Sequence, residues 1–356
     1  MTSPPKSSSL VGQGTPKAYR MPAEWEPHQG TWVAWPHNPE TWPGKLDHVR
    51  RFYVRLIQTL ATQEEVHVLV NDRPARDEAL RLLGLDAPIR RIQFHLIPTN
   101  DAWVRDYGPT VVRATHPGFG LPPRLAVRWD FNAWGGKYPP WDQDQAAGAT
   151  MARTLELPAI SGSMILEGGA IETNGAGLLL TTTDCLLNPN RNPLLTRETI
   201  EAKLHKLLGI DQVIWLTASL MGDDTDGHID QLVRFVSPTR LLVVSPGNRQ
   251  HPNDASLAAL GKQVEQAAHH HGLEVQSLPP PPPISAGQQP LPASYANFYV
   301  ANQLVLVPQF GVPTDAEACR ILADCFPQRR VIGFDCSAVV EGLGAIHCLT
   351  LPIPRG

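Results

Sequence analysis

A chain of 356 residues, 42% hydrophobic and 18% charged, can bury a large core and has the composition of an ordinary globular protein. Its formal net charge of -4 leaves no basic footprint for nucleic acid or an anionic membrane surface, and suits a cationic ligand instead. Cys185, Cys319, Cys325, Cys336 and Cys348 are an odd set without a C-x-x-C pair, so they indicate neither a disulfide framework nor a zinc ribbon. A reducing compartment follows, and with no apolar run of membrane-spanning length the expected location is the cytoplasm.

Residues 1–20 are rich in Ser, Pro and Gly and lack the apolar stretch of a signal peptide, which predicts a disordered tail ahead of a single domain at 21–356. Thr31 to Trp35 reads as a strand. Leu46, Val49, Tyr53, Leu56 and Leu60 recur at helical spacing, and Val66 to Val70 reads as a buried strand stopped by Asn71 and Asp72. Beyond that point one plan repeats: a polar or glycine-bearing loop, an apolar strand, a short turn, a second apolar strand and a helix. The first copy runs from Trp103 through Thr110 to Val112 and Leu125 to Trp129, with a helix near 142–156. The second starts at Leu166 to Gly169 and has an Asn174-Gly175 turn and a helix near 196–208. The third starts at Gly222 to Asp230, with a helix near 253–271, and the fourth at Ser294 to Tyr299, with a helix near 314–325. The fifth begins around Cys348, but the chain ends before it can be completed, so the strand at Thr31 to Trp35 and the helix after it supply the missing half.

Modules that cannot bury their faces alone must stack, and a last copy completed by the first strand closes a circle. The expected fold is therefore an α/β ring of five strand-strand-helix modules. The proline-rich stretch from Leu278 to Pro292 falls inside the fourth copy and reads as an extended surface loop, with docking to a proline-reading partner as the alternative.

Each module carries a polar residue at the start of the same strand. Ring symmetry would bring Asp106, Glu167, His228 with Asp230, Asn297 and Cys348 to one end of the axis. Taken singly, each has a bland reading: a surface ion pair for Asp106, a backbone-binding carboxylate for Glu167, a structural histidine for His228, a core thiol for Cys348. Taken together they hold a thiol among three carboxylates, which would suppress its nucleophilicity unless a cation offset them. A guanidinium fits, being planar, permanently charged and matched to carboxylate forks. Asp106 and Asp230 would grip its nitrogens and Cys348 would attack its central carbon. His228, held by Glu167, would protonate the departing ammonia and then activate water. Gly342 and Gly344 allow a turn whose backbone comes close to a ligand. No metal or other cofactor is required. Asp224 to Asp230 imitates the opening of a calcium loop, but its glycine is misplaced and Phe235 stands at the twelfth position. A Cys/His protease would be poorly served by so many acids. The remaining four cysteines lack such a setting and are expected to be dispensable for turnover.

These stretches resemble the agmatine deiminases and their bacterial peptidylarginine deiminase relatives, in the guanidine-modifying pentein superfamily. The resemblance lies in Met21 to Pro27, Trp103 to Pro109, Phe131 to Gly136, Leu166 to Gly169, Cys185 to Pro193, Asp224 to Asp230, Ser294 to Tyr299 and Ile346 to Thr350. It implies a fivefold α/β propeller, a covalent amidino-cysteine intermediate on Cys348, and the same roles for His228, Glu167, Asp106 and Asp230. It further implies that Trp103 packs on the substrate, that Asn297 and Gly344 line the site, and that Asp224 takes a distal ammonium. Dimers or larger homo-oligomers are common in the family. Two departures stand out: Gly342-Leu343-Gly344-Ala345 replaces a Gly-Gly-Gly-Asn run, and Asp226 stands where asparagine is usual. The leading substrate is agmatine, giving N-carbamoylputrescine and ammonia. Free or C-terminal peptidyl arginine, giving citrulline, stays open through Arg128 or Lys137 as a carboxylate partner, as does an inactive guanidinium-binding ring.

Overall fold

The computed structural model describes residues 17–84, 87–116, 120–247 and 251–356. Most of the expected tail, residues 1–16, lies outside the described residues. Its last part belongs to the body: Tyr19–Arg20 pairs antiparallel with Thr110–Ala114, and Met21 N donates to Leu208 O at 2.7 Å.

Five sheets share one topology. In each, an antiparallel pair is joined by a helical crossover to a third strand lying parallel to the second, since parallel neighbours need a long connection. The first module pairs Thr110–Ala114 with Arg124–Asp130 and crosses by the helix Asp142–Thr154 to Ala159–Ile165. The second uses Glu172–Thr173, Leu178–Thr182, the helix Arg197–Leu208 and Gln212–Leu216. The third uses Val233–Ser237, Arg240–Val244, the helix Asp254–His271 and Glu274–Leu278. The fourth uses Tyr299–Ala301, Leu304–Gln309, the helix Thr314–Cys325 and Arg330–Asp335. In the fifth, the C-terminal strand Leu351–Pro354 pairs antiparallel with His28–Ala34, followed by the helix Leu46–Ala61 and the strand Glu65–Val70. Completion of the last module by the first strand is thus as expected. One further helix and strand, Arg73–Leu83 and Ile92–Leu96, extend that fifth sheet.

Side chains tie each module to the next. Gly169 N donates to Asp106, Phe235 N to Glu172, the Arg234 guanidinium to Ala296 O and Phe298 O, and Asn302 Nδ2 to His28 O. Arg124 returns from the first module to Pro354 O in the fifth. The helix Leu46–Ala61 buries Val49, Tyr53, Leu56 and Leu60, the positions its spacing predicted, against a core that includes Trp32, Trp35 and Trp42.

Two expectations are corrected. The plan missed the third strand of modules one to four; Glu274–Leu278, for example, is a largely exposed sheet edge and Arg330–Asp335 a half-buried one, and their mixed polarity gives no clean alternation. The site residues also sit just ahead of the strands. Asp106 is on the short helix Val104–Tyr107, Glu167 precedes the 3-10 turn Gly168–Ala170, and Cys348 is in a turn ahead of Leu351. His228 and Asp230 do not alternate along a strand, because Ile229–Gln231 is a 3-10 turn capped by His228. Asp223 accepts from Gly227 N at 2.7 Å and Thr225 Oγ1 from His228 N at 3.1 Å, and such local bonds compete with a ladder.

The proline-rich stretch leaves the third sheet and forms a small ribbon, Ser285–Ala286 against Gln289–Pro290. Among the described residues no helix is long and apolar enough to cross a membrane.

Pairing of Leu351–Pro354 with His28–Ala34 joins the chain's two ends, and Ile353 is fully buried there. Ile353→Ala should therefore lower unfolding free energy by about 2–5 kcal/mol, the usual cost of a large-to-small core change. Urea denaturation reads this as a lower midpoint at unchanged slope; an unchanged midpoint would mean that this strand does not secure the fold.

Candidate active site

Turns that precede the first, third and fifth antiparallel pairs line a cavity of about 910 Å³; Glu167, His228, Asp230 and Asn297 are buried and are not among its lining residues. Six carboxyl side chains line it (Glu40, Asp101, Asp106, Asp144, Asp224 and Glu341), with Lys137 among them. Burial pushes Asp144 up to about 8, so it contributes little charge at neutral pH, but the surplus of acid remains.

Cys348 lies on this lining, 5% exposed. Asn297 organises its turn: the amide Nδ2 donates to Cys348 Sγ at 3.2 Å, while Oδ1 accepts from the backbone N of His347 at 3.1 Å. The thiol lies 3.8 Å from Asp230 Oδ2. Burial, reinforced by the carboxylates of Asp230 and Asp106, pushes the thiol well above its ordinary value against the weaker opposition of the Ala345 backbone and Asn297. The resting sulfur is therefore protonated.

Asp230 uses one oxygen and keeps the other open. Oδ2 accepts from His347 Nδ1 at 2.7 Å; Oδ1 is buried without a partner. Burial works to raise its pKa, but His347, then His228, hold it below the usual carboxylate range. Asp106 accepts from Trp134 Nε1 and from Gly169 N, each at 2.9 Å, and burial, aided by Asp230 and Glu167, raises it despite His228.

His228 is 1% exposed, and neither ring nitrogen has a partner. Its Nδ1 is 3.8 Å from Asp106 Oδ1. Burial alone would lower its pKa, yet Asp106, Glu167 and Asp230 together raise it, which favours an imidazolium at neutral pH.

Here an expectation fails in detail. Glu167 does not hydrogen-bond His228; its Oε1 accepts from Arg191 Nε at 2.7 Å, and Cys185 Sγ approaches Oε2 at 3.9 Å. Arg191 in turn donates to Asp226 Oδ2 and to Thr225 O. Glu167 acts on the histidine through charge, and Cys185, expected to lack polar company, sits against that carboxylate. Glu167, Cys185 and His228 offer donor atoms within 4.8 Å of one another. Arg191 already holds one carboxylate oxygen, and burial keeps the Cys185 thiol protonated, so the trio is a poor cation cage.

Glycine is what allows the convergence. A Cβ on Gly169 would lie 2.6 Å from His228 Nδ1, 2.9 Å from Asp106 Oδ1 and 3.0 Å from Asp230 Oδ2. At Gly344 it would lie 2.5 Å from the Trp103 ring and 3.2 Å from Cys348 Cβ. Trp103 thus packs over the cysteine turn. Both departures from the family pattern occupy left-handed backbone: Leu343 at φ 70 and Asp226 at φ 64. For leucine that conformation costs on the order of 1 kcal/mol. The Asp226 carboxylate is met by Lys137 Nζ at 2.8 Å, Asn190 Nδ2 at 3.0 Å and Arg191.

Asp224 lines the cavity with its Oδ2 accepting from Tyr138. Arg128, by contrast, is on the strand Arg124–Asp130 opposite Ser161. Residues that sequence reasoning quoted but gave no role include Arg191, Trp134, Glu24 and His347. All four lie in the motifs named above, which was the available signal.

The mixed α/β fold is that of two solved agmatine deiminases. The C. jejuni enzyme with substrate bound gives a TM-score of 0.86 at 26% identity, covering 98% of this chain and 99% of that one. The Enterococcus faecalis enzyme gives 0.87 at 28% identity, covering 97% and 100%. Residues 20–354 match the Porphyromonas-type peptidyl-arginine deiminase family, and the chain belongs to it. It is also 36% identical to the agmatine deiminase of Ectopseudomonas mendocina, over 96% of this chain and 98% of that protein.

The raised thiol has a direct readout. Labelling of Cys348 by iodoacetamide, followed by peptide mass, should keep accelerating beyond about pH 9, where a cysteine of pKa about 8.5 has levelled off. A plateau near the ordinary value would mean that the carboxylates do not load the sulfur.

Proposed function

We propose that this chain is a deiminase of the agmatine type, hydrolysing agmatine to N-carbamoylputrescine and ammonia through an amidino-cysteine intermediate. The observation that carries the proposal is a thiol on the wall of an acid-lined cavity, 3.8 Å from Asp230, whose Oδ1 is unpartnered, with an unpartnered His228 3.8 Å from Asp106, which is on the same wall. The cavity keeps a surplus of acid, and a guanidinium can offset it while donating to the free Asp230 oxygen.

In this reading the substrate's cation cancels the charges of Asp230 and Asp106 that burden the sulfur, so binding lowers the thiol's pKa and its proton leaves to solvent. The Cys348 thiolate attacks the central carbon, and His228 as imidazolium protonates one amino group, which departs as ammonia. The C–S bond remains in a positively charged amidino-cysteine. The neutral imidazole then takes a proton from water, the hydroxide adds to the same carbon, and collapse expels the thiolate and leaves a ureido product. Arg191 fixes Glu167, whose charge steadies the imidazolium. Trp103 and Gly344 cover the cysteine turn, Asn297 anchors it, and Asp224, aimed by Tyr138, receives the distal ammonium.

Arginine as the substrate is disfavoured by the state of Lys137. Its ammonium meets Asp226 at 2.8 Å and is not free for a carboxylate. Asp226 in place of the usual asparagine is therefore a selectivity feature. An inactive binder would have no use for an unpartnered histidine buried among the site's carboxylates. We further read residues 21–356 as one catalytic domain in which the five modules form a fivefold propeller, a reading supported by the bonds that run from each module to the next and from the first to the fifth.

Ammonia and ureido product should form from agmatine well ahead of arginine and arginine peptides, and Cys348→Ser should abolish both. Turnover of arginine but not agmatine would overturn the substrate assignment. Asp224→Asn should raise the KM for agmatine about tenfold, equal to about 1.4 kcal/mol, with a smaller change in kcat. Gly169→Ala should fold but lose at least about a hundredfold in kcat/KM, because its methyl group intrudes among three site residues; near-normal kinetics would contradict the geometry.

A further inference from the structure

Beneath the proposed guanidinium clamp lies a second polar layer. His347, next to the nucleophile in sequence, is 1% exposed and bridges two carboxylates: Nδ1 donates to Asp230 Oδ2 at 2.7 Å, and Nε2 meets Glu24 Oε2 at 2.8 Å. With a carboxylate on each ring nitrogen, both bonds form only if both nitrogens carry protons. The surrounding charges agree. Glu24 also takes Arg105 Nη2 at 2.9 Å and Arg234 Nη2 at 3.1 Å, and Arg234 Nε meets Glu172 at 3.1 Å. Three carboxylates, Glu24, Glu172 and Asp230, then face two guanidiniums, and a charged His347 completes the balance.

We propose that His347 is a positioning residue for the reaction: pinned between Glu24 and Asp230, it keeps the Asp230 carboxylate charged and turned so that its free oxygen meets the substrate's guanidinium. The proposal rests on the deiminase reading above. Its geometry is specific. Asp230 spends Oδ2 on His347 and leaves Oδ1 unpartnered, while Arg105 Nε holds His347 O at 3.1 Å and Arg105 N reaches Cys348 O at 3.3 Å. Clamp and nucleophile therefore share one support. Glu24, in the N-terminal segment, is its far anchor.

The test uses full-length Cys348→Ser protein, with agmatine binding followed by calorimetry as pH falls. The groups facing His347 are Glu24 and Asp230, with Arg105 and Arg234 across Glu24, Glu172 beyond Arg234, and His228 on the other side of Asp230. Removing the imidazolium raises the pH at which Asp230 takes a proton, so binding should fail earlier on acidification. Added to Cys348→Ser, His347→Asn keeps an amide donor for Asp230 but no charge. It should weaken binding about tenfold and move the acid limb up by about one pH unit. Glu24→Gln, which removes the carboxylate that anchors His347 Nε2, should also weaken binding by loosening the ring. In the Cys348-containing enzyme, His347→Asn should raise KM more than it lowers kcat. Normal affinity with an unmoved limb in both variants, even at a lower melting temperature, would overturn the proposal alone. No agmatine binding by Cys348→Ser itself would overturn the deiminase reading and this proposal with it.

Discussion

Confinement of Asp106 and Asp230 beside one thiol, with Glu167 behind His228, is the constraint on which the rest depends. Such a cluster is unfavourable when empty: burial and mutual repulsion raise Asp106 and the cysteine, and only the histidines and Arg191 offset part of the charge. The cluster persists because the scaffold over-determines it. Five short turns, each locked to its own antiparallel pair, aim their side chains inward, and no single turn can relax without disturbing a buried neighbour. Glycine at 169 is the clearest trace of that crowding, since a methyl group there would occupy the meeting point of three functional side chains.

An unfavourable resting site is useful. A thiol kept protonated until a cation arrives is protected against stray electrophiles, and in the proposed reaction the same charges that suppress it would bind the guanidinium. Selectivity then follows from what the cavity does with its few cations. Arg191 is spent on Glu167, Lys137 on Asp226, and Arg105 and Arg234 on the layer beneath, so the lining offers a substrate acids and aromatic rings. Asp226, seated in left-handed backbone between Arg191 and Lys137, links the Glu167–Arg191 pair to a residue that lines the cavity.

Much of this could be read before any coordinates. Hairpin strands such as Leu304–Gln309 are buried on both faces and therefore apolar throughout, and the helices between modules carry clean spacing, so the repeat and its completion by the first strand stood out. The third strand of the first four modules was hidden because a sheet edge that is not fully buried need not alternate. Site residues were recognisable because the same position recurs in every copy, although local side-chain bonds such as Asp223 to Gly227 turn those positions into short helical turns rather than strand starts. The residues that went unassigned act through others. Arg191 touches Glu167 from within its own motif, and Glu24 reaches His347 across 323 residues of sequence; pairings of that kind leave no periodic signal.

The central claim is that the sulfur of Cys348 forms a bond to the carbon of a cation held by Asp106 and Asp230. Acid-quenching the enzyme during turnover of agmatine and mapping its peptides by mass tests this most directly. The account predicts that the peptide containing Cys348 gains the mass of agmatine less ammonia, and that no other cysteine does. Steady release of ammonia with Cys348 unmodified, or the adduct on a different residue, would contradict it.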